Sequence, residues 1–145
     1  MESENIAFET PYLQVVRRSV LDRFGKSADI HFTRTRPAVI AFVRTKDGQI
    51  LLQDQYVHTK KARVLGCVAG YIDDGEEIGV AAQRELKEES GYTAGRVISL
   101  GSAFAGKWAD TIYHFVFMDG AESSGEARLE PLEDIRTVLL SVEKC

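Results

Sequence analysis

The chain has 145 residues, 44% apolar and 28% charged, which is enough to bury a substantial core in one domain spanning residues 1–145. A formal charge of −4 disfavours a dedicated nucleic-acid binder, which carries a basic face. No apolar run nears the roughly 18 residues of a membrane span, and MESENIAFET lacks the basic flank and apolar core of a secretory leader.

The first ten residues read as a flexible lead-in. Tyr12 to Val20 and Asp29 to Thr35 alternate as two strands around Phe24-Gly25-Lys26, with a short helix as the alternative for the first. Ala38 to Val43 is a β-branched run and a buried strand. Lys46-Asp47-Gly48-Gln49 turns the chain into a partner strand, Ile50 to Gln55. A basic loop follows with His58, Thr59, Lys60, Lys61 and Arg63. Leu65 to Tyr71 is strand and turn, and Asp73-Asp74-Gly75 supplies a bend. A helix is predicted from about Glu77 to Ser90, with Val80, Ala81 and Leu86 buried and Gly91 as its left-handed cap. Arg96 to Leu100, Thr111 to Met118 and Arg136 to Leu140 read as strands. Gly120 to Gly125 reads as a loop, and Ser141 to Cys145 as the start of a helix. Strands, one central helix and further strands imply a mixed sheet covered by helices, an α/β class.

Three acids crowd the end of that helix: Glu85, Glu88 and Glu89. A helix C-terminus carries partial negative charge, so acids there cost roughly 0.3–1 kcal/mol each. Like charges three or four residues apart add about 0.2–0.5 kcal/mol per pair. On a helix Glu89 lies about 40° from Glu85 and Glu88 about 60° to its other side, so all three carboxylates can reach one volume. The missing partner this implies is a divalent cation with oxygen ligands, Mg²⁺ or Mn²⁺.

The acids belong to a longer pattern, GYIDDGEEIGVAAQRELKEESGY, from Gly70 to Tyr92. Gly70, Glu76, Arg84-Glu85-Leu86, Glu88-Glu89 and Gly91 stand at the fixed spacings of the Nudix box. The chain is therefore identified as resembling the Nudix hydrolases, Tyr92 being a mild departure at the terminal aliphatic position. The resemblance implies an α/β/α sandwich, a single Nudix domain and hydrolysis of a nucleoside diphosphate linked to some group X. It implies that Glu85 and Glu89 ligate metal, with Glu88 as a further ligand or proton acceptor and the carbonyl of Ala69 joining them. It also implies that Arg84 turns away from the metal and pairs with Glu76. A general base comes from the box or from a later loop. Glu126 is the loop residue chosen, ahead of Glu122, with Glu130, Glu133 and Asp134 behind.

PAVIAFV, the Asp-Gly turn, ILLQDQY, the VAG entry and Gly91-Tyr92-Thr93-Ala94 further resemble the ADP-ribose and nucleotide-sugar branch. The chain departs from that branch at Val57, at Gly66-Cys67-Val68-Ala69-Gly70, and around Ala105 to Trp108. Competing readings are a nucleoside triphosphate pyrophosphatase and a non-catalytic nucleotide sensor. Lys60, Lys61 and Arg63 are candidates for phosphate contact. Trp108, near Phe104, and Tyr56 are candidates for base stacking or for burial against the sheet. His31, His58 and His114 show no ligand spacing. Cys67 and Cys145 have no metal spacing either, and read as a small buried residue and a free thiol. The expected partner is a small-molecule nucleotide, with no nucleic acid and no membrane. The expected setting is the cytoplasm, and a homodimer would cover the sheet face that a short C-terminal helix leaves open.

Overall fold

The computed structural model describes residues 4–141 and Glu143. Cys145 and most of the expected C-terminal helix lie outside the described residues. The chain divides into two compact units. Residues 4–37 with Ala103–Tyr113 form the first, and Ala38–Ser102 with the chain from His114 onward form the second.

The first unit is built on three strands: β1 (Glu4–Glu9), β2 (Gln14–Leu21) and β3 (Ser27–Arg34). Both neighbouring pairs are antiparallel. Residues 4–9, expected to be flexible, are instead a strand paired from Glu4↔Arg18 to Glu9↔Gln14. Ion pairs from Arg18 and Arg34 to Glu4, at 2.6 and 2.8 Å, tie its start down. The strand reading of residues 12–20 holds over its helical alternative.

The second unit carries β4 (Ala38–Thr45), β5 (Ile50–Val57), β6 (Ala62–Gly66), β7 (Val68–Tyr71), α1 (Ile78–Ser90), β8 (Tyr92–Thr93) and β11 (Ile135–Leu140). Two long strands, β9 (Arg96–Gly106) and β10 (Ala109–Ser123), contribute residues to both units. Both run longer than their alternation suggested, and β10 absorbs most of the expected 120–125 loop. The sheet is mixed. β4 pairs antiparallel with β5 and β7, and β5 with β6 and β11. The first residues of β10 run parallel to β3.

The core of the second unit lies between α1 and the inward faces of β4, β5, β7 and β10. Val39, Ala41, Val43, Leu51, Val68, Val116 and Met118 pack with Ala81, Ala82 and Leu86. Leu86 is fully buried, so truncating it to alanine removes about 2–5 kcal/mol. Val80, expected in this stripe, is exposed, and Ala82 takes its place. The stripe follows i, i+1, i+5 and i+8 through Ala81, Ala82, Leu86 and Glu89, which turns Val80 outward. The helix stops at Gly91, whose φ of 74° is the left-handed conformation only glycine adopts freely. α1 is the one α-helix among the described residues, and no described helix is long and apolar enough to cross a membrane.

Candidate active site

The glycine that opens the box and the carboxylates that close it meet across the β7–α1 loop. A side chain at Gly70 would collide with the Glu85 carboxylate, so that carboxylate lies against bare backbone. The loop is fixed by Arg84. Its Nε and Nη2 donate to the two oxygens of Glu76 at 2.9 Å each, and Nη2 also donates to the carbonyl of Tyr71 at 2.9 Å. This bidentate pairing holds Glu76 down to about 2, well below the usual carboxylate range, and raises the Arg84 guanidinium further above its ordinary value. The expected partnership of Arg84 and Glu76 is present. The expected turning away is not: Nη1 reaches Glu85 at 2.8 Å and Glu88 at 3.2 Å. The guanidinium thus supplies the positive charge between two of the three crowded acids.

Glu89 lies deeper and is buried, 6% exposed. Its carboxylate accepts a 2.7 Å hydrogen bond from Gln53 Nε2 of β5, and the backbone of Ala69 adds a second. Burial dominates these donors and pushes Glu89 up to about 7. Glu85 is also raised, chiefly by burial, against the opposing pull of Arg84. Glu88 is the outermost, its side chain 49% exposed. Among the described residues no three acidic, histidine or cysteine side chains are grouped closely enough to hold one ion as they stand. Arg84 bridges Glu85 and Glu88, and Gln53 engages Glu89. The donor set itself suits a hard cation: carboxylate oxygens on one rigid helix face, beside backbone made accessible by a glycine.

The loop acids occupy three different surroundings. Glu133, half-buried, lies near enough for its charge to raise both Glu85 and Glu89. Its own carboxylate accepts from the Glu130 N–H at 2.7 Å. Glu126 lines a cleft of about 660 Å³ with Lys87, Glu88, Arg128 and the turn Ser124-Gly125. Two backbone bonds clamp that loop to the helix end, Ser124 N–H to the Gly91 carbonyl at 2.8 Å and Arg128 N–H to the Glu88 carbonyl at 2.7 Å. They satisfy carbonyls the helix leaves open. Glu122 instead forms an exposed 3.3 Å pair with Lys46.

Among the other candidates, Arg63 is already engaged. It holds Asp54 at 3.0 Å and Asp134 at 2.9 Å, which joins the β5–β6 hairpin to the segment before β11. Lys60 and Lys61 are exposed at the hairpin turn. Tyr56 is half-buried on β5, edge-on to His58 at 5.2 Å between ring centres. Trp108 is not buried against a sheet: it is 57% exposed in the first unit, with Lys107 4.9 Å from its ring centre. It lines a cleft of about 490 Å³ with Arg18, Phe32 and Phe104. His31 lies exposed on β3, His58 contacts the Leu132 carbonyl at 3.2 Å, and His114 is half-buried on β10. Cys67 is half-buried, and burial raises its thiol.

Gln53 was missed by motif reasoning. Its signal was a polar residue at an inward position two after Leu51, where strand alternation calls for an apolar one.

The sequence model of the NUDIX domain matches residues 34–145. The chain is 29% identical over 143 residues to an ADP-ribose pyrophosphatase of Bacillus subtilis, covering 92% of this chain and 75% of that protein. It is also 29% identical over 151 residues to a CMP-5'-(N-acetyl-N-hydroxy-3-aminopropyl)phosphonate hydrolase of Streptomyces rubellomurinus, covering 95% and 72%. A crystal structure of an ADP compounds hydrolase superposes with a TM-score of 0.79 at 23% identity, over 97% of this chain and 77% of that one, which shows a shared fold. Spacing, loop geometry and this match over most of the chain agree: the protein belongs to the Nudix family of hydrolases.

Proposed function

We propose that this chain uses Mg²⁺ or Mn²⁺ to hydrolyse the diphosphate linkage of a nucleoside diphosphate derivative, with ADP-ribose or a nucleotide sugar as the preferred substrate. The products are a nucleoside monophosphate and a phosphorylated X. The observation that carries this reading is the placement of Glu85, Glu88 and Glu89 on one helix face, with Gly70 clearing the space in front of Glu85. The Bacillus subtilis relative supports the substrate class.

Glu85, Glu88 and Glu89 would hold the cation, with the Ala69 carbonyl as a further oxygen donor. When bound, such an ion neutralises the diphosphate and acidifies a bound water. The remaining work falls to the chain itself. Arg84 and Glu76 keep the loop and helix in one arrangement, which matters because phosphoryl transfer depends mostly on positioning. Glu133 is the loop acid best placed to accept a proton, since its charge reaches Glu85 and Glu89. Glu126 borders the adjoining cleft, whose size suits a small ligand. Lys60, Tyr56 and the exposed ring of Trp108 are the proposed further substrate contacts. Arg63 is withdrawn from that set because two carboxylates already engage it. A homodimer and a cytoplasmic setting belong to the same proposal, and sedimentation velocity reads the former.

The test is a panel of ADP-ribose, NADH, nucleotide sugars and nucleoside triphosphates with each metal, with the products identified. Release of nucleoside monophosphate from a diphosphate derivative is expected. A preference for triphosphates would move the substrate class, and failure to release any nucleoside monophosphate would end the reading.

A further inference from the structure

β5 presents Leu51 and Gln53 inward, 0% and 2% exposed. An inward glutamine in a strand carries two hydrogen-bonding groups into the core, where each must find a partner. Gln53 directs its amide nitrogen at a Glu89 oxygen, 2.7 Å away. No buried side-chain nitrogen or oxygen among the described residues is left without a partner. The Ala69 backbone bond reaches the same carboxylate from β7. Glu89 is therefore gripped by donors from two strands, while Glu85 and Glu88 are tied to Arg84 of their own helix.

We infer that Gln53 is a positioning residue for the metal site: its amide fixes the orientation in which the Glu89 carboxylate faces a cation. This rests on the proposed metal-dependent reading. It assigns to β5 a role that the box does not contain. The chemistry is that of outer-shell groups generally, where a hydrogen bond to a ligating carboxylate sets its direction, and losing it costs about 10–100-fold in metal affinity or activity.

Gln53→Met keeps volume and shape while removing the donor. Gln53→Asn keeps an amide but shortens its reach by one methylene. Mn²⁺ binding to each protein is measured calorimetrically without substrate, beside melting temperature and near-ultraviolet circular dichroism. Both variants should bind Mn²⁺ about 10–100-fold more weakly than wild type. At limiting metal, kcat should fall with KM for the substrate unchanged, and excess Mn²⁺ should restore the rate. That recovery separates positioning from a structural role where the metal-free variants keep the wild-type near-ultraviolet spectrum and melt well above the assay temperature, because Mn²⁺ also stabilises the fold. Unchanged Mn²⁺ affinity with a lower melting temperature would overturn the assignment and leave Gln53 as core. Loss of the native spectrum in both variants would do the same. If wild type itself binds no Mn²⁺, the proposed function falls as well, whereas equal binding by wild type and variants removes Gln53 alone.

Discussion

The two ends of the Nudix loop-helix hold glutamates in opposite electrostatic states. At the entry, Glu76 sits in a bidentate grip from Arg84 and is held at about 2. At the exit, Glu89 is buried with only neutral donors and is pushed to about 7. One acid is satisfied by a cation of the chain. The other has hydrogen bonds but no cation of its own. The difference separates an ion pair that shapes the loop from a buried acid whose charged form a cation would stabilise.

Removing the exit charge should break this comparison most sharply. Glu89→Gln is expected to lower turnover at least ~100-fold with the fold intact, since the group acts on charge and proton handling rather than packing. Steady-state kinetics beside circular dichroism checks this, and near-normal rates would take Glu89 out of the site. Gly70→Ala comes next. The added methyl collides with the Glu85 carboxylate, and such displacement of a reacting group can cost up to ~100-fold. A variant with full activity would show that Glu85 need not stay where it lies.

Metal addition sharpens the contrast. At about 100 times its dissociation constant a ligand adds ~2.7 kcal/mol, so Mn²⁺ should raise the melting temperature by on the order of 5–10 °C. The rise should shrink in Glu89→Gln. A flat melting curve across millimolar Mn²⁺ would contradict a waiting site.

The smallest expected effect is in pH. Glu89 is raised, so between the ordinary 4.5 and about 7 the folded state holds its proton more tightly than the unfolded chain. Stability of the metal-free protein from this group is therefore greatest at low pH and falls as pH rises through that window. Glu76 is lowered, so its contribution is present above 4.5 and is lost as pH falls towards about 2. The two together predict a maximum in melting temperature near pH 5 for metal-free protein, and Mn²⁺ should flatten the alkaline side. A melting temperature that keeps rising from pH 5 to 8 without metal would show that Glu89 does not dominate the exit end.

Much of this was legible in the linear chain. The spacing of Gly70, Glu76, Arg84, Glu85, Glu88, Glu89 and Gly91 is local, and a helix converts it directly into a face, a partner and a cap. The turns at Gly48 and Gly75, both at positive φ, announced themselves through Asp-Gly and Asp-Asp-Gly. Less legible was β1, because its residues ENIAFE, all exposed, gain their order from pairing with β2. The outward turn of Val80 was missed because the buried stripe drifts by one position, a choice made by the sheet it packs on.

The chain alone determined the family, the reaction class and the acidic cluster, because these rest on residues a few positions apart on one rigid element. Tertiary structure decided which acids are buried, that Arg84 bridges Glu85 and Glu88, that Glu133 rather than Glu122 approaches the site, and that Gln53 meets Glu89. The approach of Gln53 and Glu133 joins residues dozens of positions apart, while the Arg84 contacts are local choices of rotamer, and the desolvation that sets each charge exists only once β5, β7, α1 and the segment before β11 have packed together.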